Sequence, residues 1–234
     1  VNMNTIGIIC AMEEELEYIY NISEIVSAKN IIGQDFYIGK FKNVKVVIAI
    51  CGIGKVNAAI CAQAMIDMFA VDCVINIGVG GAIFKDLKIG DVVVSTDAVE
   101  HDFDTTALGD PPGFISRMDT STFMADEGII NIFRDMQAEG VLEHNVYFGR
   151  VGSGDRFVSS KEEKNRIWNQ FNAYVADMEG AAIAHTCYLN KIPFAIIRSI
   201  SDQADGGAEI SYNEFKNIAA DSSGKMLEYM LNSL

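Results

Sequence analysis

"KVNAAICAQAMIDMFAVDCVINIGVGG", Lys55 to Gly81, is the stretch on which the fold turns. Its first part, Lys55 to Ala70, repeats apolar and small residues at helical spacing, with the small ones on one face, and predicts a helix. Its second part, Asp72 to Gly80, is apolar at successive positions instead of alternate ones. That pattern predicts a strand covered on both sides, which belongs in a parallel or mixed sheet clad with helices. The strand runs out into Gly78, Gly80 and Gly81, a composition suited to a tight turn or a close approach to a ligand.

Outward from there the alternation continues. "TIGIIC" (Thr5 to Cys10) predicts a buried strand, and "EEELEYIYNI" a helix with acids in its first turn, where the macrodipole favours them. "DFYIGKF" and "VKVVIAIC" predict two strands joined near Lys42 and Asn43. "GDVVVSTDAVEHD" predicts another strand, followed by an irregular loop from Phe103 to Arg117. Gly109, Pro111, Pro112 and Gly113 break any periodicity there, and a loop of that length suggests a role at an interface or over a site. A helix is expected from about Ser121 to Glu139, then "NVYFGRVGSGDRFV" as strand and turn, and a polar helix from Lys161. "AYVADM" predicts a strand feeding a helix that starts near Met178. "PFAIIRSISD" is the last core strand, and an amphipathic helix from about Tyr212 to Leu231 follows. The expected architecture is α/β: one domain over residues 1–234, with a mixed central β-sheet flanked by helices.

The chain has 234 residues, half of them apolar, and a formal net charge of -14. A diffuse acidic surface repels phosphate backbones and argues against nucleic-acid binding. The apolar run from Ile6 to Met12 is too short for a membrane span and no basic leader precedes it. A cytoplasmic protein acting on a small molecule, with no membrane association, is expected. Cys10, Cys51, Cys61, Cys73 and Cys187 contain no C-x-x-C pair and are read as buried, reduced thiols. His101, Asp102 and Asp104 resemble metal ligands, but no second cluster completes a coordination set, so no metal is expected. His185 is read as a core or interface histidine and His144 as a surface one.

Three glycine-bearing turns at strand ends, "CGIGKVNAA", "NIGVGGA" and "GRVGSGD", fit either a site along the sheet edge or tight turns with no ligand. None has the spacing of a dinucleotide or P-loop motif. Acids sit at three strand-to-helix junctions: Glu13, Glu14 and Glu15; Asp177 and Glu179; and Asp202. Strand alternation puts Arg198, Ile200 and Asp202 on one face. Each acid alone is explained by helix capping or solvation. Together at one sheet edge they suggest carboxylates with separately tuned pKa values, as acid/base cleavage of a glycosidic bond requires.

With "GIICAMEEELE", "CGIGKVNAA", "IGDVVVSTDAVEHDFD", "VGSGDRFV", "VADMEGAAIAHTC" and "IRSISDQAD" in that order, the chain resembles the nucleoside phosphorylase and nucleosidase superfamily. Within it, the similarity is closest to the bacterial 5'-methylthioadenosine/S-adenosylhomocysteine nucleosidases. The resemblance implies hydrolysis of the N-glycosidic bond of those two nucleosides, with release of adenine and without a cofactor. It implies that Glu15 activates the attacking water and that Asp202 protonates or hydrogen-bonds purine N7. Glu179 would grip the ribose hydroxyls with Arg198 helping to hold it, Met178 would pack on the sugar, and Asp177 would merely favour the helix start. Phe157 would stack on adenine, and the backbone of Val158 would read its Watson–Crick edge. Met12, Ile53 and Tyr212 would line the slot for the 5'-alkylthio group. A homodimer is implied, with the loop at Leu108 reaching toward the neighbouring subunit.

Two departures stand out. Val79 replaces a serine that related nucleosidases place near sugar and water, and Leu108 stands where they often carry an aromatic residue. Related phosphorylases put an arginine and a serine where this chain has Asn76 and Val79, so phosphate lacks a binding cation there. A phosphorylase or nucleosidase for another purine nucleoside, such as a futalosine-like one, and a non-catalytic nucleoside-binding protein of the same fold remain as alternatives.

Overall fold

A computed structural model describes residues 3–234, apart from the side chains of Glu15, Ile210 and residues 216–220. Among the described residues ten strands form one mixed sheet, with six α-helices packed around it. The strands are β1 (Thr5–Cys10), β2 (Glu24–Ile31), β3 (Gln34–Phe41), β4 (Val44–Ile50), β5 (Cys73–Ala82), β6 (Val92–Glu100), β7 (Phe123–Met124), β8 (Val146–Ser153), β9 (Ala173–Asp177) and β10 (Phe194–Asp202). The helices are α1 (Glu13–Ile22), α2 (Lys55–Phe69), α3 (Glu127–Glu139), α4 (Lys161–Phe171), α5 (Gly180–Asn190) and α6 (Ala208–Asn232).

The buried strand that opened the sequence reading is β5, and it is the hinge of the topology. It pairs in parallel with β1 on one side and with β10 on the other, and its last residues pair antiparallel with β9. β10 also pairs antiparallel with β6, β6 in parallel with β8, and β8 in parallel with β9. Strands β5, β10, β6, β8 and β9 therefore close into a ring, which removes free edges from that half of the sheet. From β5 the arm β1, β4, β3, β2 extends in the other direction. All nine residues of β10 are buried, as a strand covered on both faces must be.

Several boundaries differ from the sequence reading. β2 was not expected: six of its eight residues are exposed, so no apolar alternation marks it, and it sits at the end of the sheet order. The helix expected from Ser121 begins at Glu127, because Phe123 and Met124 pair with Ala98 and Asp97 of β6. Asp126 then caps the helix by accepting the Ile129 N–H at 3.0 Å. The shared face of Arg198, Ile200 and Asp202 is also corrected. The register with β5 shifts between Ile200 and Asp202, so strict alternation breaks before the acid is reached.

All five cysteines are buried and outside any disulfide. Burial pushes the Cys61 and Cys73 thiols up to about 12, which keeps them protonated at neutral pH. Among the described residues no helix is long and apolar enough to cross a membrane.

Candidate active site

The segments that follow β1, β4, β8 and β9, the last part of β5 and the end of β10 converge on one cleft of about 380 Å³. That size suits a nucleoside-sized ligand, and strand ends are where open α/β sheets place their sites. Met12 enters from the end of β1, Ile53 from beyond β4, Val79 from β5, Phe157 and Val158 from beyond β8, Met178 and Glu179 from beyond β9, Asp202 from the end of β10, and Tyr212 from α6. Most of the wall is apolar, with acids set into it.

Asp202 is 2 % exposed. Its Oδ1 accepts the Ala204 N–H at 2.8 Å and its Oδ2 the Ser201 hydroxyl at 3.0 Å. Burial outweighs those bonds and raises its pKa above the ordinary carboxylate range. Gly81 makes this packing feasible, since a Cβ there would lie 2.9 Å from Asp202 Oδ1. Glu179 occupies the N-cap of α5, and its Oε1 accepts the Gly54 N–H at 2.9 Å. Tyr212 donates its hydroxyl to the Met12 sulfur at 3.0 Å and stands edge-on to Phe157, ring centroids 5.8 Å apart.

Asp177 does more than start a helix. Its Oδ2 accepts the Gly180 N–H at 3.0 Å and forms a 2.6 Å salt bridge with Arg198, while the Ser153 hydroxyl donates to its Oδ1. Arg198 is 1 % exposed, is not part of the cleft wall, and also donates to Asn76 Oδ1 at 2.5 Å. Asn76 in turn donates to the Ile9 carbonyl at 2.8 Å. Arg198 is thus a strut beneath the site, tied to Asp177. Sequence reasoning missed this because Ser153 and Asp177 meet only through the β8–β9 register. It also missed Arg156, which contributes a basic side chain to the wall, and Ser201, which holds Asp202.

Of the three glycine turns, the one at Gly80 and Gly81 forms cleft wall, and the one at Gly54 supplies the amide for Glu179. In the third, Gly149 is a packed strand residue, whose Cβ would lie 2.4 Å from the Tyr174 ring, and the Gly154 amide donates to the carbonyl of Asp177 at 3.1 Å. The Glu15 side chain lies outside the described residues. Leu108 sits in a 3-10 turn (Thr106–Leu108), 81 % exposed and apart from the cleft of its own chain. His101, Asp102 and Asp104 point to separate partners: Arg166, Lys55 and the Thr106 amide respectively. Among the described residues no group of three or more His, Cys, Asp or Glu side chains is placed to hold a metal ion.

A family model described as phosphorylase superfamily matches residues 5–233. The chain belongs to the phosphorylase superfamily. Among its relatives there, a 5'-methylthioadenosine/S-adenosylhomocysteine nucleosidase of Staphylococcus carnosus (strain TM300) is 40% identical over 237 residues, covering 98% of this chain and 100% of that protein. The solved nucleosidase of Neisseria meningitidis, in complex with methylthio-immucillin-A, superposes with a TM-score of 0.94 at 39% identity, over 99% of this chain and 100% of that one. The native futalosine hydrolase of Helicobacter pylori strain 26695 superposes with a TM-score of 0.95 at 33% identity, over 99% of each chain. This phosphorylase-superfamily chain therefore has the fold of nucleosidases along its whole length.

Proposed function

We propose that the protein hydrolyses the N-glycosidic bond of 5'-methylthioadenosine and S-adenosylhomocysteine, releasing adenine and the thioribose product. The observation that carries this reading is the pairing of Asp202 and Glu179 in one nucleoside-sized cleft, the first with its pKa raised by burial and the second held by a backbone amide. Asp202 protonates purine N7 and so improves adenine as a leaving group. Glu179 grips the ribose hydroxyls, with Met178 against the sugar. Phe157 stacks on the base, whose edge is read by the Val158 backbone. Met12, Ile53 and Tyr212 enclose the alkylthio tail, and Glu15 activates the water. Fixed carboxylates stabilise the positive charge that develops on the sugar as the bond breaks. Water is favoured over phosphate because, among the described residues, the cleft wall holds Asp177, Glu179 and Asp202 against a single basic side chain, Arg156. The reaction needs neither cofactor nor metal, since protonation of the base and activation of water account for both halves of the bond cleavage.

Purified protein is expected to release adenine from both nucleosides in phosphate-free buffer, with no stimulation by added phosphate. Release from neither would reject the assignment. The likeness to futalosine hydrolase favours including futalosine in the same assay as a second reading. One catalytic domain, acting in the cytoplasm, completes the proposal; its single-domain part is supported by a main core that draws on residues from Met3 to Leu231.

The homodimer belongs to the same proposal. α2 buries Ala58, Cys61, Ala62, Met65 and Phe69 yet leaves Val56 at 69 % and Met68 at 60 % exposure, with Ile60 between them. A helix that is apolar on both sides is covered on both sides. Leu189 at the end of the neighbouring helix α5 is exposed as well. Sedimentation is expected to give a dimer for the parent and a monomer for the Val56→Glu/Ile60→Glu double variant; a parent monomer would refute the dimer.

A further inference from the structure

The groups that fix Glu179 belong to a closed, partly buried circuit that the bond cleavage itself does not use. Glu179 Oε1 accepts the Gly54 N–H at 2.9 Å. Gly54 has a φ of 96°, and a Cβ on it would lie 3.0 Å from Asp155 Oδ1. The next amide, that of Lys55, donates to the same Asp155 oxygen at 2.7 Å. The Lys55 ammonium then binds Asp102 Oδ1 at 2.6 Å and Glu100 Oε2 at 3.0 Å. Asp102 returns to the turn by accepting the Asp155 N–H at 2.8 Å. Glu100 meets His185 Nδ1 at 2.9 Å, and the His185 ring stacks on Phe123 with centroids 4.5 Å apart. His185 lies on α5, the helix whose N-cap is Glu179. Two supports of the Glu179 carboxylate, an amide it accepts from and the helix it caps, are thus tied to Lys55 and Glu100.

The charges in this circuit hold one another. Burial opposes the Lys55 charge, yet hydrogen bonds to Asp102 and Glu100 raise its pKa. Burial also opposes ionised Glu100, and His185 and Lys55 bring that pKa below the ordinary range. Both groups are therefore ionised at neutral pH, and a neutral side chain at position 55 would loosen the turn that presents the Gly54 amide.

We propose that Lys55 is a positioning residue that sets the orientation of Glu179, and through it the recognition of the ribose hydroxyls. The inference rests on the sugar-gripping role given to Glu179 above. A lysine acting through that carboxylate has a signature that general loosening lacks: the cost of removing it depends on whether the substrate carries the hydroxyls.

The test compares kcat/KM for 5'-methylthioadenosine and its 2',3'-dideoxy analogue, taking each variant as a ratio to the parent so that the intrinsic lability of the two bonds cancels. Lys55→Met is expected to lose about tenfold on the ribosyl substrate and less than about twofold on the dideoxy one, the size of coupling usual within one hydrogen-bond network. Lys55→Arg is expected to restore most of the loss. Equal losses on both substrates, or none on either, overturn the inference. Should Lys55→Met fail to fold, Lys55→Met/Glu100→Gln removes the unpaired buried carboxylate and is read by the same two outcomes. Glu179→Gln is run alongside: a loss confined to the ribosyl substrate upholds the sugar role, and an equal loss on both removes that role and the inference with it.

Discussion

Asp202→Asn is expected to lower turnover of 5'-methylthioadenosine by about 10³-fold, within the range that general acid catalysis supplies, while the protein melts no lower at neutral pH. Asparagine keeps an oxygen for the Ala204 amide and a similar shape beneath Gly81 but has no proton to give N7. The stability half follows from linkage. Burial raises the folded-state pKa of Asp202, whereas an Asp in the unfolded chain titrates at ~3.9. Between those values the folded state retains a proton that the unfolded state has released, so stability falls as pH rises through that window. Above the raised value the full cost of a buried charge is present. Asparagine carries no such cost, so the difference in Tm between variant and parent should move in the variant's favour as pH rises from about 4, a window set by the unfolded value. The same protonation makes parental turnover decline on the alkaline side as the acid form is lost. Near-parental rates in Asp202→Asn would remove this residue from the mechanism; a Tm difference independent of pH would remove the buried-charge account.

How far the molecule can be read from its sequence depends on which residues report their surroundings locally. β5 and β10 do, because side chains buried on both faces leave an unbroken apolar run. β2 does not, because a mostly exposed strand at the end of the sheet has no apolar pattern. Ring closure is invisible for a different reason: that β10 pairs with both β5 and β6 is a choice of partners, and no residue within β10 encodes it. The site divides in the same way. Glu179 and Asp202 could be named because acids at the ends of apolar strands are conspicuous, and the resemblance supplied Phe157, Val158 and Tyr212, which the fold gathers on one cleft. The ion pair of Arg198 with Asp177 could not be read: local alternation set Arg198 beside Asp202 and the resemblance set it beside Glu179, whereas its meeting with Asp177 depends on the register of separate strands. Leu108 shows the limit for a residue whose expected partner is another copy of the chain, since its own chain leaves it exposed.

Glu15→Gln is the second large loss expected, again about 10³-fold in kcat, with the binding of adenine nearly unchanged. Hydrolysis needs a carboxylate that is ionised and free to take a proton from water. Asp177 is fully engaged: Ser153 donates to one oxygen, and Arg198 and Gly180 approach the other. Asp202 has its pKa shifted toward the protonated form by burial, which suits an acid and not a base. Glu179 is committed to the Gly54 amide and, in the proposed mechanism, to the sugar. Ala11 and Met12 line the cleft at the end of β1, and α1 starts at Glu13, so residue 15 follows in its first turn, close in sequence to the cleft wall. A glutamine amide at position 15 would keep the size of the side chain and lose its basicity. The distinguishing measurement is single-turnover adenine release alongside adenine Kd for Glu15→Gln and the parent. A slowed chemical step with unchanged Kd is the expected result, and a parental rate would transfer the base role away from Glu15. The two variants also separate by pH: Glu15 must be ionised and Asp202 protonated, so kcat in the parent should pass through a maximum, and each variant should lose the limb that its residue controls.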